Sequence, residues 1–380
     1  MTDIALHRDF IANRLTGNGY RVCTRCVMDA SDAKITFDDE GVCSHCRHFD
    51  DVQSKNWFPG PEGRPRLDAI VQQIKEHGRD KEYDCNMGLS GGVDSSYVAL
   101  KIKEFDLRPL VVHVDAGWNT ELAVRNIESI IKYCRYDLYT HVMDWEEMRD
   151  LQLAYLRSGI ANQDVPQDHA FFASTYHFSV KNDIRYIIGG GNLATECVFP
   201  HAWHHSAMDA TNLLDIHRRF GEHPLKAYKT INFFQYYFLY PFVYGMKTIL
   251  PLNYMPYDKK EALAELVEKV GYKPYQRKHG ESAFTRLFQN HYLPQRFGYD
   301  KRKPHLSSLI LSGQMTRNDA LAALAEPLYD AQELATDIQY LCKKLRISQA
   351  DFDGFVDAPL RDATEFRNWN RLHEAAKTAQ

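Results

Sequence analysis

YDCNMGLSGGVDSSY, residues 83–97, joins an apolar run to a helical one through two consecutive glycines. Residues 83–89 read as a short buried strand, Ser90-Gly91-Gly92 as a turn, and 93–105 as a helix. Glycines at a helix start let backbone N–H groups approach a ligand, the helix dipole adds positive partial charge, and Ser90, Ser95 and Ser96 add hydroxyls. The combination suits phosphate. It is not a G-x-x-x-x-G-K-[ST] loop, since no lysine follows the glycines, and it lacks the G-x-G-x-x-G spacing of dinucleotide sites.

Outward from this turn the chain alternates strand with helix. Residues 109–114 (PLVVHV) form a buried strand ending in Asp115; Thr120 caps a helix to about Cys134; 138–142 is a strand, 145–157 a helix and 184–188 (IRYII) a strand. Such alternation means a parallel sheet with helices on both faces, whose ligands sit beyond the carboxyl ends of the strands. Ser90, His113 and Asp115 fall there. Asp115 is placed to meet the nucleoside or a metal, or is a solvated loop acid. After the fourth strand, Gly189-Gly190-Gly191-Asn192 permits close backbone approach to a second part of a nucleotide, with Glu196 four residues on.

At 380 residues and 44% hydrophobic content the chain has room for two domains or one enlarged one. Its formal charge of −4 and pI near 6.5 give no basic field for gripping a polyanion, so no nucleic-acid partner is expected. Neither a signal peptide nor a run of eighteen apolar residues is visible, so no membrane insertion is expected and the cytoplasm is the expected compartment. Eight cysteines agree with a reducing compartment: four form two tight pairs, while Cys85, Cys134, Cys197 and Cys342 are scattered. Cys23-x-x-Cys26 and Cys43-x-x-Cys46, sixteen residues apart, have the spacing of a four-thiolate structural Zn²⁺ site. Two disulfides or four thiols are the other reading.

The expected organisation is a tail over 1–20, a zinc ribbon over 21–55, a Pro/Gly linker near 56–65, an α/β domain over 64–250 and a helical C-terminal region over 251–380 that contributes to the substrate site. His201, His204 and His205 read as surface or substrate-pocket histidines rather than metal ligands. The aromatic run 233–244 (FFQYYFLYPFVY) reads mainly as core packing, with a docking face as the other use. Asp258 opens a helix that ends at Gly271. Beyond it Lys278, His279, Glu281, Thr285, Arg286, Lys301, Arg302, Lys303 and His305 suit an anionic ligand such as a nucleotide sugar or phosphates. Leu334, Ile338, Leu341 and Leu345 lie on one helical stripe.

S-G-G-V-D-S resembles the PP-loop of the ATP pyrophosphatases, which split ATP between its α and β phosphates. The resemblance implies a doubly wound, mostly parallel sheet of that type, with Ser90, Gly91, Gly92, Val93, Asp94, Ser95 and Ser96 holding the departing pyrophosphate and Asp94 helping to hold Mg²⁺. The segment from Gly190 to Glu196 resembles G-T-x-x-x-x-E of amide-forming pyrophosphatases, with Gly191 where that family has Thr. It implies Glu196 as partner to Asp94 on the magnesium.

C-T-R-C-V-M-D, the paired cysteines, S-G-G-V-D-S-S, K-H-x-E-x-x-F-T-R and F-G-Y-D-K-R-K-x-H-L-S-S together resemble the N-acetyl sugar amidotransferase family, over roughly residues 20–324. The resemblance implies that ATP adenylates the acetamido oxygen of an acidic or nucleotide-activated sugar in surface polysaccharide synthesis. Ammonia then displaces AMP to leave an acetamidine. Lys278, His279, Glu281, Lys301 and Arg302 are the implied catalytic set. No glutaminase segment is recognisable, so ammonia is expected from a separate glutaminase subunit. A tRNA thiolase, for which only Cys85 and Cys197 offer a nucleotide-side thiol, a carboxylate-amidating synthetase and an inert zinc-bearing scaffold are the alternatives.

Overall fold

The computed structural model describes residues 20–275 and 280–372. In chain order the elements are α1 (Ser44–His48), α2 (Gly63–Gly78), β1 (Cys85–Gly88), α3 (Val93–Ile102), β2 (Pro109–Asp115), α4 (Glu121–Cys134), β3 (Asp137–Val142), α5 (Trp145–Ser158), α6 (Val165–Lys181), β4 (Tyr186–Ile188), α7 (Leu193–Glu196), α8 (Ala210–Phe220) and β5 (Lys247–Ile249). Then come α9 (Lys259–Val270), α10 (Ala283–Leu287), α11 (Leu293–Phe297), α12 (Arg302–Leu311), α13 (Arg317–Ala325), α14 (Ala331–Leu345) and α15 (Gln349–Asp357).

The five strands form one sheet in the order β3-β2-β1-β4-β5, every neighbouring pair parallel. β1 is central, and the order reverses between it and β4, which opens a crevice at their carboxyl ends. Period-two alternation divides β1 between two cores. Cys85, Met87 and Leu89 pack with Leu67 and Ile74 of α2, Val98 of α3, Ile127 of α4 and Leu266 of α9. On the other face Asn86 Nδ2 donates to the carbonyl of Thr175 and the hydroxyl of Ser179, 3.0 Å each, which satisfies both protons of the buried amide nitrogen against α6. Gly88 is small for a reason on that same face, because a Cβ there would lie 2.2 Å from the ring of Phe171.

The cysteine segment and the C-terminal helices share one core with the middle of the chain. Cys23, Cys26, Met28 and Phe49 pack with Leu151 and Tyr155 of α5, Phe284 and Tyr292, and Leu341 and Leu345 of α14. α12 is the post at the centre. Ser307 Oγ accepts from Val27 N–H at 3.3 Å, Ser308 Oγ accepts from Val198 N–H at 3.0 Å, and His305 Nδ1 donates to the carbonyl of Thr195 at 3.2 Å. The H-L-S-S run thus fastens both the cysteine segment and the loop after β4.

Two expectations change. The last residues of the expected linker already belong to α2, and Phe58 N–H is tied to Asn253 O at 2.7 Å. In the aromatic run, Gln235–Val243 winds as a wide π-type helix in which Tyr240 is buried but Phe238, Phe242 and Val243, like Phe234 just before it, face water, so core packing accounts for only one side. Pro241 lies inside this helix, where it removes a backbone donor. No helix among the described residues is long and apolar enough to cross a membrane.

Candidate active site

The phosphate loop leaves β1 at Gly88 and enters α3 at Val93, and no side chain caps the helix start. Its first-turn N–H groups therefore point into the crevice unsatisfied by the helix itself. Ser90 Oγ meets Ser95 Oγ at 3.1 Å and accepts from Gly92 N–H at 3.3 Å, which sets two hydroxyls at the mouth. Ser96 is withdrawn: it is wholly buried, so it supports the loop from behind instead of lining it. Gly190, from the loop after β4, lies against this helix start, where a Cβ would come within 2.9 Å of Ser95 N and Cα.

Asp94 accepts a hydrogen bond from the phenol of Tyr257. Burial, then the charge of Asp94, then that of Glu196 hold the Tyr257 phenol well above its ordinary range. Both carboxylates therefore act on one point of the crevice, and the donor set there is all oxygen, which suits a hard divalent cation. Asp115, at the end of β2, is half committed: its Oδ1 accepts from Gly117 N–H at 2.8 Å and Asn119 Nδ2 at 3.2 Å. His113 is buried and gives its Nδ1 proton to Leu89 O at 2.9 Å while Nε2 accepts from Asn119 at 3.0 Å, so it braces the strand end below the loop. The side chain of Asn192 caps α7 through Thr195 N–H at 2.9 Å, which orients the Glu196 turn.

The segment after α9 clasps the loop from above. Tyr272 and Tyr275 both donate to Gly91 O, at 2.9 and 3.0 Å, and Thr120 binds Glu281 O and Gly280 O. The carboxylate of Glu281 is thereby brought to 3.5 Å from the Cβ position of Gly92. Lys278 and His279 lie outside the described residues. The two tyrosines and Tyr257 were not foreseen; isolated tyrosines carry no spacing signal.

Three consecutive cations part company at the start of α12. Lys301 Nζ lies 2.7 Å from His204 Nε2, and the His204 ring stacks on Phe199 at 4.4 Å. Burial and the charge of Lys301 hold His204 well below the usual imidazole range, so it accepts from the lysine as a neutral ring. Arg302 instead binds Asp300 and the carbonyls of Ala323, Leu324 and Glu326, and Lys303 pairs with Asp29. Of the two residues expected to be catalytic here, Lys301 is paired with a neutral histidine and Arg302 is held by Asp300 and three carbonyls. Arg286 likewise grips Asp337 through two bonds of 2.8 and 2.6 Å.

The four cysteine sulfurs lie together, with Cys23–Cys46 at 3.8 Å and Cys26–Cys43 and Cys43–Cys46 at 3.6 Å. Metal–sulfur bonds of about 2.3 Å around one tetrahedral ion put sulfurs roughly 3.8 Å apart, so the set fits a single ion. A cubane cluster would splay them further. His45 is not part of the set, being paired with Asp32 at 2.8 Å. Outside it every thiol is raised by burial: Cys134 and Cys197 are pushed up to about 11, and Cys85 and Cys342 are also raised. No activated thiol stands beside the nucleotide crevice among the described residues.

A parallel sheet in this order, with S-G-G-V-D-S-S at the carboxyl end of its central strand, defines the class of fold: a PP-loop α/β fold of the ATP-pyrophosphatase type. Residues 281–379 match the family described as LPS biosynthesis protein WbpG-like, C-terminal domain. The likeness to the WbpG-like proteins of LPS biosynthesis is a likeness of that C-terminal region. No curated protein sequence matches it. Solved structures that it resembles include an NH3-dependent NAD synthetase from Campylobacter jejuni (12% identity, 41% of this chain and 72% of that one, TM-score 0.29). Others are the U34-tRNA thiolase NcsA from Methanococcus maripaludis with its [4Fe-4S] cluster (14%, 69% and 81%, TM-score 0.34) and an NAD+ synthetase from Burkholderia pseudomallei (14%, 88% and 96%, TM-score 0.29). At scores this low the assignment rests on the chain's own loop, sheet and C-terminal match.

Proposed function

We propose that the protein is an ATP-dependent amidotransferase that converts the acetamido group of an acidic or nucleotide-linked sugar to an acetamidino group, with ammonia from a separate glutaminase. The observation that carries this reading is the convergence on one crevice of the phosphate loop, the Asp94–Glu196 pair and Glu281 at the start of the WbpG-like segment. The absence of an activated thiol among the described residues favours nitrogen over sulfur transfer.

An amide resists ammonia because its oxygen is a poor leaving group, and transfer of AMP to that oxygen removes the obstacle. Helix α3 and the hydroxyls of Ser90 and Ser95 would hold the pyrophosphate as it leaves. Asp94 and Glu196 would hold Mg²⁺, which supplies neutralisation of phosphate charge. Lys301 would face the oxyanion of the tetrahedral carbon. The four cysteines would hold Zn²⁺ as a closed structural ion with no open position for chemistry.

The test is incubation of the purified chain with ATP, Mg²⁺, ammonium and a panel of acetamido uronic and nonulosonic sugars. The expected result is AMP, pyrophosphate and a sugar lighter by about one mass unit as O becomes NH. Failure of every acetamido sugar to yield it sinks the reading, and turnover on glutamine by this chain alone sinks the separate glutaminase.

A further inference from the structure

Between Glu222 and Asp258 the chain carries no carboxylate side chain, although acids make up 50 of its 380 residues, and this acid-free stretch holds the aromatic helix Gln235–Val243. One side of the aromatic segment is spent on the body. Tyr240 stacks on Tyr176 of α6 at 4.8 Å, and Phe233 meets Trp369 edge-on at 5.4 Å. The other side carries Phe234, Phe238 and Phe242, whose ring centroids follow one another at 5.7 and 6.5 Å, so the three form one ladder. Phe234 is 62% exposed and Phe242 69%. At the far end Pro241, Phe242, Val243 and Tyr244 are exposed in succession. A helix lying flat on a body hides roughly one residue in three or four, so this last turn stands clear of the body as an apolar tip.

The base of the tip is basic. Gly245 brings the chain onto Arg185, whose Nε lies 3.1 Å from where a Gly245 Cβ would stand, and Lys247 N–H binds Arg185 O at 2.9 Å. Both side chains are exposed, and neither forms an ion pair among the described residues. Asp183, whose carboxylate feels Arg185, is itself paired with Lys81 at 2.7 Å. A protruding tip offers no groove for a partner's side chains to fill, and a net charge of −4 does not favour RNA. Rings above and cations at their base instead match the two layers of an anionic bilayer surface, acyl boundary and then phosphate. β4 and β5 run parallel to β1, so Arg185 and Lys247, at their amino ends, lie at the opposite end of the sheet from the phosphate loop that follows β1. A molecule seated by this tip keeps its crevice open to solvent.

We propose that the tip seats the protein on an anionic phospholipid surface, with Phe238, Phe242 and Val243 at the acyl boundary and Arg185 and Lys247 on the lipid phosphates. The protein lies on the bilayer and does not cross it. This seat is independent of the chemistry in the crevice.

The experiment is co-sedimentation of the full chain with vesicles of phosphatidylethanolamine and phosphatidylglycerol, and with vesicles of phosphatidylcholine alone. Wild type should pellet with the anionic vesicles and bind phosphatidylcholine more than about tenfold more weakly. Phe242→Ser combined with Val243→Ser should lower affinity for the anionic vesicles by more than about tenfold. Arg185→Ala and Lys247→Ala should each lower it about fivefold. All four side chains are exposed, so melting temperatures should stay near wild type, and Leu321→Ser, which alters an exposed leucine of α13, should leave binding unchanged. Absence of pelleting with anionic vesicles, equal binding to both lipids, or binding indifferent to the Phe242 and Val243 substitutions would overturn the proposal. So would a concentration-dependent dimer, or binding of tRNA, that the same substitutions abolish, since a second copy or an RNA would then be the occupant.

Discussion

Gly190 has no room for a methyl group, because the atoms it would strike are the backbone of Ser95 and not the yielding tip of a side chain. Gly190→Ala should therefore push the two nucleotide loops apart, weakening ATP binding by about 1–3 kcal/mol in calorimetry while the sheet still melts cooperatively. The residues 301–303 make the same point about direction. A run of Lys, Arg and Lys is legible in sequence as a basic cluster, but which cation faces the ligand depends on rotation about the start of α12, which no local pattern encodes. Lys301→Ala should lower turnover more than tenfold with a melting temperature near wild type, since its partner is a neutral histidine and no ion pair is lost with it. Arg302→Ala should do the reverse, costing about 2–3 kcal/mol in denaturant titration as three carbonyls and Asp300 lose their donor. An Arg302 variant that is stable but inactive would restore its candidacy for catalysis.

The helix that presents the phosphate loop is held at its far side by α9. Glu265 accepts from Tyr97 at 3.0 Å, Lys101 at 2.9 Å and Lys269 at 2.7 Å. Burial alone would raise this carboxyl, yet the three donors prevail and hold it down at about 2. A carboxylate with a depressed folded pKa stabilises above its unfolded value and loses that contribution as pH falls through the folded one. The melting temperature of wild type should thus fall between about pH 4 and pH 2 by more than that of Glu265→Gln; parallel curves would show that the clamp is idle. Elements with strong periodicity were readable: the Thr120 cap, the helix from Asp258 to Gly271 and the strands flanking the loop all stand where the spacing puts them. α6 was not. Its buried face includes Ser174, Thr175 and Ser179 among small residues, so it shows no apolar stripe. β5 is three residues at an exposed sheet edge, too short for alternation to register.

Across the molecule the cysteine segment is joined to the C-terminal helices. Arg317 donates to Cys26 O at 3.0 Å and Cys23 O at 2.9 Å, Lys303 pairs with Asp29, and Ser307 holds Val27 N–H. Stripping the metal by chelator, or Cys26→Ser, should then cost several kcal/mol in thermal melts and depress adenylation as well, because Lys303, which follows Lys301 and Arg302 directly in the chain, is paired with Asp29 of the cysteine segment. Equal melts for metal-loaded and metal-free protein would refute that coupling. The post formed by Arg302–Leu311 has one more implication, for anyone dividing this gene. The stretch recognised by sequence comparison begins at residue 281, yet the hydroxyls of Ser307 and Ser308 close bonds to partners more than a hundred positions upstream. A fragment cut at that boundary would inherit the family's signature without the other half of its scaffold. Truncation libraries should find that neither piece persists alone, and that the two rejoin only when made together.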